Sequence, residues 1–190
     1  MNRDDLKAAL LKDRRDSYVK LRGGWPIPLA GAIYWAALAV LGHVLPLGTW
    51  AFYAFVTSGL IFPMALILGK IARIPFMQDK RAADDVLLPT FISMLLFWVF
   101  IVASAQEAPE LVPLILAVGM SLHWPVIGWS YGRTGLFSAH AIIRAIGALL
   151  IWLYWPDGRI TVLPAWVALI YVLTVIAIYF DSGKIAKRMT

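Results

Sequence analysis

The sequence predicts an all-α, polytopic membrane protein: six transmembrane helices in one bundle, preceded by an N-terminal amphipathic helix that is cytoplasmic or interfacial. Three observations predict it. Of 190 residues, 61% are hydrophobic and only 15% charged, more apolar surface than a water-soluble domain of this size can hide. Six runs reach the ~20 mostly apolar residues that a bilayer core requires: 26–45, 50–69, 86–105, 111–131, 136–155 and 163–180. The charges gather between these runs, which is a membrane-topology pattern.

The first element is "RDDLKAALLKDRRDSYVKL". Asp4 and Asp5 suit a first helical turn, and Leu6 and Leu10 share a face. This helix is expected on the cytoplasmic face of the bundle or in the headgroup layer, with a solvated tether as the alternative. It is long and contains acids, and no small-residue cleavage site follows it, so it does not read as a cleavable signal. Residues 1–25 thus form the N-terminal helix, 26–180 the membrane domain and 181–190 a basic tail. The short connections imply antiparallel neighbours in one bundle. Two three-span halves would be inverted relative to each other, but their sequences show no convincing match.

Span two contains Gly59 and Pro63, a site for close helix approach and a broken hydrogen-bond ladder. Pro109 and Pro113 suit the start of span four. Pro125 lies inside that span, directly after His123 and Trp124, and implies a kink. Trp25, Trp50, Tyr53, Trp129, Tyr131, Trp152, Tyr154, Trp155, Trp166 and Tyr179 fall near span ends. There an amphipathic ring serves as an interfacial anchor.

Orientation follows from the cations. Arg3, Lys7, Lys12, Arg14, Arg15, Lys20 and Arg22 precede span one. Lys70, Arg73, Lys80 and Arg81 follow span two, Arg133 follows span four, and Lys184, Lys187 and Arg188 lie in the tail. The opposite side carries only Arg159, with Glu107, Glu110 and Asp157. The positive-inside rule places both termini in the cytoplasm, and the expected location is a bacterial inner membrane.

The remaining cation, Arg144, is inside span five, and no Asp or Glu lies in any apolar run. At 1.5 Å per residue, His140 lies ~6 Å and Arg144 and His123 ~12 Å from the cytoplasmic edge. His140 and Arg144, four apart, share a helix face. Thr57, Ser58 and Ser93 fall at similar depth. These residues, with Trp124, form the expected ligand-binding set. An arginine at this depth costs roughly 2.5–3.5 kcal/mol on insertion scales, so something must compensate it. Asp84, Asp85 and Asp181 are the candidate counter-ions, and one reading lets the arginine snorkel to Asp85, Asp181 or a lipid phosphate. The other has its planar fork capture an anion.

Much chemistry is excluded. With no cysteines there are no disulfides and no thiolate ligands or nucleophiles. Two intramembrane histidines fall short of a metal site. No hydrolase, P-loop or dinucleotide motif appears, so no catalytic residue or cofactor is assigned. The leading function is binding or transport of a small anionic or amphipathic molecule. The alternatives are a structural or interaction subunit without a ligand, and an intramembrane enzyme acting on a lipid phosphate. The expected partners are membrane lipids, such an anionic ligand and a second copy of the chain, and not nucleic acid.

"AGAIYW" in span one, "GLIFPMALILGKI" closing span two, and "PELVPLILAVGMSLHWP" with "GWSYG" in span four resemble a family of small six-span bacterial membrane proteins of unknown function. Trp124 stands where that family often has phenylalanine. The resemblance implies six helices and brings no reaction, cofactor or catalytic residue.

Because native cysteines are absent, single introduced cysteines report topology directly. Residue 78 and the C-terminus should label from the cytoplasm, and residues 107 and 158 from outside. Cytoplasmic labelling at 107 would overturn the six-span order.

Overall fold

The computed structural model describes residues 2–79 and 81–189; the loop cation Lys80 lies outside them. All regular elements among the described residues are helical. The helices are α1 (Arg3–Lys20), α2 (Pro26–Leu41), α3 (Leu47–Thr57), α4 (Ile61–Ile71), α5 (Leu87–Leu95), α6 (Trp98–Glu107), α7 (Val112–Gly119), α8 (Trp124–Ser130), α9 (Thr134–Tyr154) and α10 (Val162–Met189). Among the described residues six segments are long and apolar enough to cross a membrane: Arg22–Leu41, Leu47–Ile71, Ala83–Glu107, Pro109–Ser130, Thr134–Tyr154 and Val162–Arg188.

The first of these starts and ends earlier than the sequence suggested. Pro46 opens α3 in extended backbone, and a residue before proline avoids helical geometry. The chain therefore turns through Gly42–Leu45, and His43 sits in that turn. Spans one, four and six form the centre of the bundle. About half of the apolar window of span one is buried within the protein (50%), against 11% for span three. Close approach makes this possible: a Cβ on Gly31 would lie 2.5 Å from the Tyr171 ring of α10. Two of the expected interfacial aromatics are core residues instead. Trp50 is fully buried and donates Nε1–H to the Leu38 carbonyl at 2.8 Å, and Tyr131 is also buried.

Spans two and four are each two helices joined by a break. In span two the Ser58 N–H bonds the Phe55 carbonyl, three residues back rather than four. The Ala54 carbonyl thereby loses its ladder donor. The Tyr34 hydroxyl of α2 donates to it at 2.5 Å, in the buried interior. A lipid interior offers no water for such a carbonyl, so another span must supply the donor.

At the basic end, the last turns of α1 dock on the bundle. An Asn2 capping box starts this helix, as its oxygen accepts from the N–H groups of Asp4 and Asp5. Most of α1 is exposed, but Ser17 and Tyr18 are buried. Ser17 Oγ donates to Asp79, and Lys20 Nζ bonds the same carboxylate at 2.8 Å. Tyr18 donates to Asp181, which also pairs with Arg133 at 2.5 Å. Arg14 stacks over Trp129 at 4.5 Å.

Burial alone would push the Asp79 carboxyl up. Hydrogen bonds from Lys20 and Ser17 and the charges of Lys20 and Arg81 outweigh it, so the group sits below its ordinary value. A carboxyl depressed in the folded state stabilises above its unfolded pKa, and that contribution is lost as pH falls through the folded value. Asp79→Asn should cost on the order of 1 kcal/mol and speed proteolysis after Arg14 and Arg15 at neutral pH. The difference from wild type should vanish as acid protonates Asp79. Unchanged protection of α1 at neutral pH would show that Asp79 does not hold it.

Candidate functional site

The break in span four builds the site. Pro125 has no N–H, so the Ser121 carbonyl cannot receive its usual ladder bond; it takes the Trp124 N–H at 3.1 Å instead. Ser121 N–H in turn bonds the Val118 carbonyl at 2.8 Å, and Leu122 N–H bonds Gly119 at 3.2 Å. These are all three-residue bonds. The ladder slips by one residue, and the Ala117 carbonyl is left without a backbone donor. Gly119 permits the local approach of span three, since a Cβ there would fall 2.2 Å from the Phe97 ring.

Arg144 of α9 fills the gap. Its side chain is fully buried. Nε and Nη2 both donate to the Ala117 carbonyl, at 2.8 and 2.5 Å, and Nη1 donates to the Tyr171 hydroxyl of α10 at 2.7 Å. The guanidinium also lies 5.1 Å from the Tyr171 ring and 5.9 Å from the Trp35 ring of α2. The carbonyl belongs to the C-terminal end of α7, where the helix dipole is negative. Hydrogen bonds to a charged group contribute roughly 1.5–3 kcal/mol each, enough to offset the insertion cost. None of Asp84, Asp85 and Asp181 is the counter-ion: Asp181 is held by Arg133 and Tyr18, Asp84 by Arg81, and Asp85 is exposed, whereas Arg144 is fully buried.

His140 lies one turn away on α9 and is buried. Its Nδ1 is 2.7 Å from Thr174 Oγ1, and that hydroxyl donates to the Ile170 carbonyl at 2.7 Å. The threonine proton is thus committed, so His140 Nδ1 is the donor between them, and in the neutral ring Nε2 carries a lone pair. Trp124 is buried against His140 at 4.4 Å, Phe137 at 5.7 Å and Tyr171 at 5.6 Å between ring centroids. His123, half-buried, lies between Trp124 and Phe91 of span three. Four ring nitrogens of this cluster are buried without a protein hydrogen-bond partner: Trp35 Nε1, His123 Nδ1, Trp124 Nε1 and His140 Nε2.

The structure therefore brings Arg144, His140, Trp124 and His123 together. Thr57 and Ser58 do not join them; their hydroxyls bond the Tyr53 and Phe55 carbonyls of their own helix. Ser93 lies on an exposed face. Trp35, Tyr171, Thr174 and the Ala117 carbonyl are additions. Tyr171 and Thr174 had a sequence signal, being polar residues three apart in span six. The Ala117 carbonyl had none, because the proline rule points to Ser121. Among the described residues no three His, Asp or Glu side chains converge as metal ligands.

A family of unknown function, DUF7010, matches residues 10–181. The chain belongs to this family. The match takes in the last turns of α1, spans one to five, span six as far as Asp181, and the whole Arg144 cluster. No curated protein and no solved structure matches the chain. This DUF7010 member is thus a membrane-like helical protein in a family of unknown function.

Thr174→Val should destabilise the protein by about 1–3 kcal/mol, because it strands the His140 Nδ1–H. Thr174→Ser should cost less. Thermal unfolding in detergent measures both, and equal stability of valine and wild type would remove the Thr174–His140 bond from the argument.

Proposed function

We propose that the protein is a multi-pass membrane protein that binds or transports a small anionic or amphipathic molecule at the Arg144 cluster. In this reading it sits in a bacterial inner membrane with both termini cytoplasmic, and the site is reached from the cytoplasmic half. The observation that carries the reading is a positive, carboxylate-free interior site holding four unpartnered ring nitrogens beside a broken helix. Buried polar groups are nearly always paired, so a group of exceptions around one charge supports a ligand role. Broken helices at mid-membrane are also where transporters bind substrate.

The chemistry of binding would be exchange. The Ala117 carbonyl occupies the Nε and Nη2 fork of Arg144. A carboxylate or phosphate oxygen fits the same fork with a full charge in place of a dipole. His140 Nε2, as a lone pair, would take a proton or a hydroxyl hydrogen from the ligand. Loss of the arginine bonds would free the 117–123 turn, which couples occupancy to the geometry of span four. His123, on the outer edge of the cluster, would line the approach.

The second reading, a structural or interaction subunit, is favoured by a different observation. Arg144 is fully buried, and each of its nitrogens already bonds a protein group. Under either reading Arg144→Leu leaves the Ala117 carbonyl bare and costs about 1–3 kcal/mol. Stability alone therefore does not separate them.

Ligand response does. Purified wild type should gain thermal stability from at least one member of a panel of water-soluble carboxylates and phosphates. Arg144→Lys keeps the charge without the fork and should lose most of that gain. His123→Ala should lose less, and Arg144→Leu all of it. A wild type that responds to no member of the panel transfers the lead to the structural reading.

A further inference from the structure

A second basic feature lies at the opposite extreme of exposure from Arg144. Between the turn after α1 and the last turns of α10 runs a groove of about 430 Å³, lined by Arg22, Tyr179, Phe180, Gly183, Lys184 and Lys187 among others. We infer that this groove binds the phosphate headgroup of an anionic glycerophospholipid. The inference is independent of the Arg144 reading.

Among the described residues that line the groove, every charged side chain is a cation. Lys184 and Lys187 are three apart on α10 and share a face, and Arg22 approaches from the other wall. The neighbouring carboxylate, Asp181, is turned away and held by Arg133 and Tyr18. The groove is also amphipathic along its length. Tyr179 and Phe180 are 59% and 62% exposed, at the end of the apolar part of span six. Lys184 follows Phe180 by ~6 Å of helix rise and Lys187 by ~10 Å. One end thus offers apolar and aromatic surface, and the other offers cations, in the order acyl chain then phosphate. That ordering favours a lipid over a free anion or a soluble polyanion.

Two backbone features shape the groove. Arg22 has φ +49°, a left-handed conformation that non-glycine residues rarely adopt, although glycine occupies the next two positions. The turn is fixed by Gly23, where a Cβ would fall 2.1 Å from the Ile178 side chain. The chain therefore holds an arginine in a strained position directly over α10, where glycine would be unstrained. Gly183 is the reverse case: a Cβ there would meet nothing within 4 Å, so the groove floor is bare backbone that a headgroup can approach.

The test is thermal unfolding of the detergent-purified full chain, titrated separately with cardiolipin, phosphatidylglycerol, phosphatidylcholine and inorganic phosphate. Cardiolipin should stabilise most and phosphatidylglycerol next. Phosphatidylcholine should do little, and so should inorganic phosphate in the Arg144→Lys background, where the interior site is disabled. The triple variant Arg22→Gly, Lys184→Gln, Lys187→Gln should lose roughly a hundredfold in apparent cardiolipin affinity, about fivefold for each cation removed. Gly183→Leu keeps every charge and should also weaken binding, so it decides the matter if the triple variant does not fold. Arg144→Lys should keep the cardiolipin response, which separates this site from the interior one. Equal stabilisation by phosphatidylcholine, equal stabilisation of Arg144→Lys by inorganic phosphate, or full cardiolipin affinity in Gly183→Leu would overturn the inference.

Discussion

The bundle depends on how a membrane-embedded helix can be interrupted without stranding its carbonyls. In water a broken ladder is repaired by solvent; in hydrocarbon it needs a donor from another helix. Span two is broken near Ser58, and the freed Ala54 carbonyl takes the Tyr34 hydroxyl. Span four is broken between Gly119 and Trp124, and the freed Ala117 carbonyl takes two N–H groups of Arg144. In both cases the carbonyl belongs to an alanine, whose small side chain leaves room for the donor. Each break is thereby converted into a bond between spans.

The second of these bonds carries a charge, and this changes its consequences. Tyr34 and Ala54 exchange one neutral hydrogen bond. Arg144 instead brings a full positive charge into the interior and meets only partial ones: the C-terminal end of α7, the Tyr171 hydroxyl and two aromatic faces. The dipoles make the arginine tolerable, and they leave its charge unneutralised. That imbalance links the turn at 117–123, the ring nitrogens around it and the proposed affinity for anions. The basic end of the bundle follows the opposite rule. There Asp79 and Asp181 meet Lys20, Arg81 and Arg133 directly, and the pairs tie α1 to the spans.

Part of the site was legible in the sequence, and the reason is helix periodicity. His140 and Arg144 share a face because they are four apart on one continuous helix, and Pro125 marked a break beside His123. Depth arithmetic then brought His123 level with Arg144. The same arithmetic grouped Thr57, Ser58 and Ser93 with them, and it has no knowledge of rotation about the helix axis. Those hydroxyls bond their own helix or face outward. Tyr171, Thr174 and Trp35 complete the cluster because α10 and α2 turn that face inward, a matter of packing between distant spans.

The sequence by itself determined the helical class, the six apolar segments and the segregation of the basic residues, since each follows from a local property: run length, hydropathy or charge placement. It also determined that Arg144 must have a partner, because a buried cation without compensation is too costly. Only the tertiary structure decided that the partner is a backbone carbonyl. Every backbone carbonyl is chemically alike in the sequence, and the one that becomes available depends on how the ladder slips beside Pro125 and on which helix stands opposite. A side-chain counter-ion could have been sought by residue type; a carbonyl is selected by geometry alone.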